Sequence, residues 1–274
     1  MHNLKMYINP KSRLIYYELE GVQYSSGFWD EYWCTERRAN WHELYRNTFV
    51  SKITSDYLSL GSKVLDAGCG DGRHVFALMK SGYEALGLDN ASQSINHIKA
   101  MTPNIDVEMG DVREMPYHDG SLDGIWSIGV IEHFFEGYDE ILMEASRCLR
   151  VGGYLFLTFP SMNPFRYLQI KFKNRFLLEV KPVNRFRFYQ YLLRPVDVLN
   201  SARNYKLVKK NIRYRSGLKG LKDASKYTFV GKLLLIAIHK SDKGNIYLRH
   251  ILKIIDILFS PLIGHSCFIV FQKI

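Results

Sequence analysis

A glycine-rich run bordered by acids is the first part of the sequence that could do chemistry. Residues 66–73 read Asp-Ala-Gly-Cys-Gly-Asp-Gly-Arg. Three glycines let the backbone turn sharply and approach a ligand without a Cβ in the way. A dinucleotide site of the form G-x-G-x-x-G would need a glycine where Arg73 stands. Asp66 would also repel a pyrophosphate but suits an amino group, so the run favours a ligand with an ammonium group and no phosphate.

Two further acids stand at places that suit a nucleoside. Asp89 comes 17 residues after Gly72, and a carboxylate there can accept both hydroxyls of a ribose. Asp111, followed by Val112, could accept the exocyclic amine of an adenine beside a backbone N–H. Each acid taken alone is more often a helix cap or a loop residue. Chance is a poor explanation for their occurrence in this order.

The elements that would position these residues alternate regularly between residues 63 and 159. Short apolar runs near residues 63–67, 83–88, 105–109, 124–128 and 154–159 predict strands, with amphipathic helices between most of them. Strands that alternate with helices indicate a parallel sheet covered on both faces. Ligands of such sheets bind at the carboxyl ends of the strands, where all the motifs above fall.

These motifs resemble those of the class I S-adenosylmethionine-dependent methyltransferase family. The resemblance covers roughly residues 60–160 and rests on Val64–Gly72, Gly87–Asp89, Gly110–Val112, Gly124–Phe134 and Leu149–Thr158. It implies an α/β fold of Rossmann-like, doubly wound type, with seven strands, the last antiparallel, in three α/β/α layers. Residues 205–212 and 266–271 would be strands six and seven.

The resemblance also implies S-adenosylmethionine as the cofactor. Asp66, Gly68, Gly70 and Gly72 would hold its methionine end, Asp89 its ribose, and Asp111 with Val112 its adenine. The predicted cofactor-binding set is completed by Cys69, Asn90 and Ile128. We expect no metal site.

The predicted catalytic residues are His133 and Glu132, which follow the fourth strand. Histidine can take a proton from a hydroxyl acceptor near neutral pH, although His133 could equally only shape the site. Glu132 could bind the methionine end, orient His133, or cap the next helix. The element 131–133 is similar to that of methyltransferases acting on small molecules and lipid-like substrates, including quinone-biosynthesis O-methyltransferases. We therefore expect a small-molecule or lipid-linked acceptor.

The charge of the chain is unevenly distributed. Its net charge is +10. Residues 1–161 hold 14 Lys/Arg and 22 Asp/Glu, whereas residues 162–274 hold 23 Lys/Arg and 5 Asp/Glu. The basic part suggests either a solvated face or an anionic partner. Two other functions stay open on these grounds: an RNA methyltransferase that uses the basic part, and a non-catalytic regulator that binds S-adenosylmethionine.

Three regions are expected along the chain. Residues 1–60 should be an N-terminal helical lid segment, residues 61–216 with 265–274 the methyltransferase core, and residues 217–264 a basic, apolar insertion between strands six and seven. The insertion could be a cap, a dimer surface or a peripheral contact with an anionic membrane. Contact with RNA is the less favoured alternative. Four scattered cysteines, with neither a signal peptide nor a spanning apolar run, predict a cytoplasmic protein that could also lie at the membrane periphery.

Overall fold

The computed structural model describes residues 4–12, 14–19, 27–35, 49–172, 178–215, 260 and 264–274. Trp41 and Tyr45 of the expected lid segment lie outside the described residues, as does nearly all of the insertion 217–264. The contacts divide the chain into two units. Unit 1 comprises residues 1–23, 159–198 and 212–268, and unit 2 comprises residues 24–158, 199–211 and 269–274.

The described strands and helices follow in chain order. The strands are β1 (Leu4–Ile8), β2 (Ile15–Leu19), β3 (Lys63–Ala67), β4 (Glu84–Asp89), β5 (Asp106–Met109), β6 (Leu122–Ile128), β7 (Leu149–Pro160), β8 (Glu179–Val180), β9 (Phe188–Tyr191), β10 (Leu207–Arg215) and β11 (Ser266–Lys273). The helices are α1 (Phe28–Thr35), α2 (Phe49–Thr54), α3 (Arg73–Lys80), α4 (Ser92–Met101), α5 (Asp139–Cys148), α6 (Pro164–Lys171) and α7 (Pro195–Asn204), and a 3₁₀ turn spans Ile131–His133.

Seven strands form one sheet in the order β10-β11-β7-β6-β3-β4-β5. The pairs of β3 with β4 and β6, β4 with β5, and β6 with β7 are parallel, and the last strand is antiparallel. This confirms the predicted Rossmann-like, doubly wound sheet flanked by helices. The strand order reverses at β3, so the carboxyl ends of β3, β4 and β6 meet at the switch point where such sheets bind ligands.

The sheet of unit 2 is fixed by buried aromatic side chains. Trp126 of β6 is fully buried and stacks on Phe156 of β7, with ring centroids 4.5 Å apart. Its indole N–H donates to the Thr54 hydroxyl of α2 at 2.9 Å. A buried indole needs such a partner, so this hydrogen bond ties α2 to the strand that carries the predicted catalytic residues.

Unit 1 contains a smaller sheet in the order β8-β1-β2-β9, which the sequence analysis missed. β1 and β2 form an antiparallel hairpin. One apolar cluster of the unit consists of Ile8, Ile15, Met162, Ile170, Leu178 and Leu192. Helix α6 begins at Pro164, because the Asn163 side chain accepts the Arg166 N–H at 2.9 Å and proline is favoured as the first helical residue.

The structure differs from three expectations. Residues 4–8 and 15–19 are strands, whereas residues 1–60 were expected to be a helical segment. Residues 159–198 fall in one unit with the hairpin and not with residues 61–158 of the expected core. The fifth strand was expected near residues 154–159, but β7 already begins at Leu149. The hairpin pairs with strands far along the chain, and pairing of that kind leaves no local signature.

Candidate functional site

The glycine run forms a tight loop between β3 and α3. Gly68, Gly70 and Gly72 have φ angles of 86°, 54° and 75°, a region that residues with a side chain rarely adopt. The N–H groups of Gly68 and Cys69 donate to the Leu88 carbonyl of β4 at 2.7 and 3.0 Å. The loop is therefore held against the end of the neighbouring strand.

Two of these glycines also permit close contacts with other parts of unit 2. A Cβ on Gly68 would lie 2.4 Å from Cγ2 of Val130, and one on Gly70 would lie 2.3 Å from the Trp33 ring. Val130 precedes the 3₁₀ turn that ends at His133. The loop thus lies against both the turn after β6 and helix α1, which the sequence could not show.

Asp66 is a buried carboxylate near the end of β3. It is 1% exposed, and neither of its carboxylate oxygens has a hydrogen-bond partner among the described residues. Burial raises the pKa of the Asp66 carboxyl well above its ordinary value, and the negative charges of Asp89 and Asp71 raise it further. A cation beside it would supply the missing partner and favour the ionised form.

Asp89 lies at the end of β4 with its carboxylate partly satisfied. One oxygen accepts the Gly70 N–H at 2.7 Å and the other accepts the Ala91 N–H at 2.9 Å. The pKa of Asp89 is raised, because its burial outweighs the hydrogen bonds from the backbone N–H groups of Ala91, Gly70 and Asn90. Each oxygen keeps a further lone pair, so the carboxylate can accept two hydroxyls of a diol. Asn90, which follows, is exposed.

Arg73 neutralises the remaining acid of the loop. Its Nε donates to Asp71 Oδ1 at 2.7 Å and its Nη2 to Oδ2 at 2.5 Å. Arg73 stands where a dinucleotide site would have its third glycine, and here its side chain pairs with an acid of the loop. Asp66 and Asp89, near the ends of β3 and β4, are not paired with a described cation. Two such carboxylates suit a ligand with positive charge.

The predicted adenine residues lie after β5, next to β4. Asp111 is 41% exposed, and its carboxylate binds the Arg113 side chain at 2.6 and 3.0 Å and the Arg113 N–H at 2.8 Å. Hydrogen bonds from Arg113 hold the pKa of Asp111 below its ordinary value. Val112 is buried. The Arg113 guanidinium in turn lies 5.2 Å from the centroid of Phe134, which connects this loop to the one after β6.

The predicted catalytic residues lie in the 3₁₀ turn after β6. Ile128 is the last residue of that strand, and Glu132 is 3% exposed. The His133 ring is half-buried and meets the Trp29 ring edge to face, with centroids 4.8 Å apart. His133 is thus packed against α1 while its turn contacts the glycine loop through Val130.

Helix α1 is the part of the site that sequence reasoning described least well. Its Asp30 accepts the Gln93 N–H at 2.8 Å and the Ser92 hydroxyl at 3.3 Å, at the start of α4. Helix α4 has Ala91 at its N-cap and no local side-chain cap, so Asp30 supplies one from a distant part of the chain. The missing local cap before Ser92 was the one signal available, and it does not identify the partner.

The residues present fit S-adenosylmethionine. The cofactor carries an ammonium group for the Asp66 carboxylate, which has no partner among the described residues, and a ribose diol for Asp89. No group of three or more His, Cys, Asp or Glu side chains within the described ranges is placed to hold a metal ion. Among the same residues, no helix is long and apolar enough to cross a membrane.

Several known proteins that resemble this chain are named as methyltransferases. The family described as "Methyltransferase domain" matches residues 65–157. A Mycolicibacterium smegmatis protein named a probable S-adenosylmethionine-dependent methyltransferase is 31% identical over 105 residues, which are 38% of this chain and 40% of that protein. A ubiquinone biosynthesis O-methyltransferase from Acinetobacter baumannii is 25% identical over 160 residues, covering 56% of this chain and 66% of that one. The first curated relatives are matched over only 30–40% of their length.

Solved structures share the fold at low sequence identity. Geranyl diphosphate C-methyltransferase from Streptomyces coelicolor, solved with S-adenosyl-L-homocysteine, has a TM-score of 0.52 at 16% identity, covering 82% of this chain and 78% of that one. The [4+2]-cyclase SpnF has a TM-score of 0.51 at 14% identity, covering 82% and 79%. The fold alone therefore leaves the reaction open. Residues 65–157 match the methyltransferase-domain family, and the sheet that carries them has the fold of these solved structures.

Proposed function

We propose that the protein transfers the methyl group of S-adenosylmethionine to a hydroxyl of a small-molecule or lipid-linked acceptor. The observation that carries this proposal is the contact between Gly68 and Val130, which brings the turn of His133 against the cofactor loop. A side chain that can accept a proton is thereby placed next to the loop that would present the methyl donor.

The cofactor residues have separate tasks in this proposal. Asp66 binds the ammonium group, Asp89 binds the ribose hydroxyls, and the backbone of Gly68, Cys69, Gly70 and Gly72 approaches the methionine end. Asp111 and Val112 border the adenine, and Asn90 and Ile128 complete the cofactor-binding set. When bound, the cofactor supplies a methyl group that its sulfonium has already activated, so the protein needs mainly to orient the acceptor and exclude water.

As the acceptor's hydroxyl oxygen attacks the methyl group, an imidazole nitrogen of His133 takes the hydroxyl proton. His133 later releases this proton to water. Trp29 packs against this ring and limits the directions in which it can point. Glu132 is nearly fully buried beside Gly129, with Oε1 3.4 Å from where a Cβ on that glycine would be. We assign it the role of a positioning residue for the turn.

The names of the relatives support an acceptor of this class. One is named for O-methylation in ubiquinone biosynthesis, and another for methylation of phthiotriol and phenolphthiotriol dimycocerosates. Both names denote lipid-like compounds. The turn after β6, with the aromatic rings of Trp29 and Phe134 close by, suits an apolar acceptor better than a strongly charged one.

Transfer of radiolabelled methyl groups tests the proposal. The protein is incubated with labelled S-adenosylmethionine and with separate lipid, metabolite and RNA fractions from the source cell. We expect label in the lipid or metabolite fraction, and we expect His133→Asn to lose most of it while it still binds the cofactor. Label in RNA would establish the RNA methyltransferase instead. Tight cofactor binding without label in any fraction would favour the non-catalytic regulator.

A further inference from the structure

A turn in unit 1 exposes an aromatic side chain between two arginines. Phe186 is 65% exposed, and Arg185 and Arg187 beside it are exposed as well. The N–H groups of Arg187 and Phe188 both donate to the Asn184 carbonyl, at 3.1 and 2.8 Å. The Asn184 side chain accepts the Phe186 N–H at 3.0 Å. The turn 184–187 therefore has a defined backbone and keeps Phe186 in contact with water.

The turn is anchored to β2 by a buried carboxylate. Glu18 is 2% exposed, and it accepts the Lys181 ammonium at 2.9 Å and the Asn184 N–H at 3.3 Å. At the other end of the turn, the Leu19 N–H donates to the Arg187 carbonyl at 2.8 Å. A buried carboxylate needs its hydrogen-bond donors, so these contacts hold the turn in place.

The surroundings of the turn are cationic. Lys5 and Lys181 lie over the Tyr7 ring, 5.5 and 4.7 Å from its centroid. The described residues of unit 1 include 10 Lys/Arg and 3 Asp/Glu, whereas those of unit 2 include 13 and 18. The described part of the unit that exposes Phe186 is therefore net positive.

We propose that the turn 184–187 docks the protein on an anionic lipid bilayer. Phe186 enters the interfacial region, and Arg185 and Arg187 bind lipid phosphates. Single exposed apolar residues are common on protein surfaces, but a phenylalanine fixed between two arginines matches a surface with apolar depth and negative charge. Stacking of nucleic-acid bases fits less well, because such platforms present successive aromatic rings and the next one, Phe188, is only 2% exposed.

Docking does not depend on the proposed methyl transfer, and the two can fail separately. The test is co-sedimentation of the full chain with vesicles of phosphatidylcholine alone or mixed with phosphatidylglycerol. We expect binding to the mixed vesicles only, and weaker binding as salt is added. Arg185→Gln and Arg187→Gln should each weaken it about fivefold, and Phe186→Ser about five- to tenfold.

Two control variants change charge or apolarity elsewhere. Lys209→Gln with Lys210→Gln removes two exposed cations of β10, and Leu60→Ser alters a side chain that is 73% exposed. Both controls should bind vesicles almost as the wild type does. Cofactor binding and circular dichroism should be unchanged in all variants. Phe186→Trp adds a direct readout, since its extra fluorescence should be quenched by brominated lipid in the mixed vesicles.

Three results would overturn the proposal. The first is a wild type that ignores the mixed vesicles at low salt or binds both kinds equally. The second is that all turn variants bind vesicles like the wild type. This result would be strongest if the double variant Arg249→Gln with Lys253→Gln lost binding, because binding would then depend on another part of the chain. The third is a wild type that binds RNA through Arg185 and Arg187 but stays in the supernatant when the mixed vesicles are sedimented.

Discussion

Replacing Asp66 with asparagine should change cofactor affinity and stability in opposite directions. In the proposed site Asp66 is the partner of the cofactor's ammonium group. Loss of one charge-assisted hydrogen bond costs about 1.5–3 kcal/mol, which corresponds to about 10- to 150-fold weaker binding. Titration calorimetry with S-adenosylmethionine measures this directly. Equal affinity in a folded Asp66→Asn variant would refute the role of Asp66.

The stability of the cofactor-free protein provides the second half of the test. Burial raises the pKa of Asp66 well above its ordinary value. Between the two values the unfolded chain is ionised while the folded protein keeps the proton. Stability should therefore fall as pH rises through this window, by at most about 1.4 kcal/mol per pH unit for one group. The Asp66→Asn variant has no carboxyl at this position, so its free energy of unfolding should fall less steeply as pH rises.

Urea unfolding at pH 5, 6, 7 and 8 compares the two slopes, since those values lie above the ordinary pKa of an aspartate at about 4. Asp56→Asn is the control variant, because it removes a carboxylate from an exposed position and leaves the buried site intact. Saturating cofactor should reduce the difference, since a neighbouring ammonium favours the ionised carboxylate. Parallel curves for the wild type and Asp66→Asn would show that Asp66 is ionised in the cofactor-free fold.

Three shorter predictions concern the loop, the thiols and metal dependence. Gly68→Ala should destabilise the fold by about 1–3 kcal/mol in urea unfolding, because the φ of Gly68 is 86° and the new Cβ would overlap Val130. Gly27→Ala is the control and should have little effect, because no atom lies within 4 Å of its new Cβ. Burial raises the pKa of the thiols of Cys69, Cys148 and Cys267, to about 11 for Cys148 and about 12 for Cys267. In a Cys34→Ser variant at pH 8, Ellman's reagent should therefore label these three thiols only after urea is added, and fast labelling of the native variant would contradict their burial. Methyl transfer should survive EDTA, since no metal-ligand cluster occurs in the described part of the chain; a loss that magnesium restores would count against this.

The sequence was most informative where function requires particular local conformations. The loop of Gly68, Gly70 and Gly72 was predictable because each glycine adopts a φ that other residues avoid. Five strands of the large sheet were predicted from the alternation of apolar runs and amphipathic helices, whereas the two remaining strands were implied by the resemblance to the methyltransferase family. These signals are local, so one sequence is enough to detect them.

Contacts between distant segments were not predictable. Nothing local to Asp30 shows that it caps α4, and nothing near Gly70 indicates that Trp33 covers it. The hairpin of β1 and β2 was missed because its partner β9 lies 169 or more positions away, at Phe188–Tyr191. Strand pairing over that distance depends on the fold as a whole, and edge and centre strands carry different residue preferences.

The central claim is that the carboxyl ends of β3, β4 and β5 bind S-adenosylmethionine, and calorimetry on Asp89→Ala tests it most directly. The Asp89 carboxylate already accepts the Gly70 and Ala91 N–H groups and has capacity for two hydroxyls. We predict one bound cofactor per wild-type chain and a loss of about 1–3 kcal/mol in the variant, which is about 5- to 150-fold. Unchanged affinity in a variant shown to be folded would contradict the account.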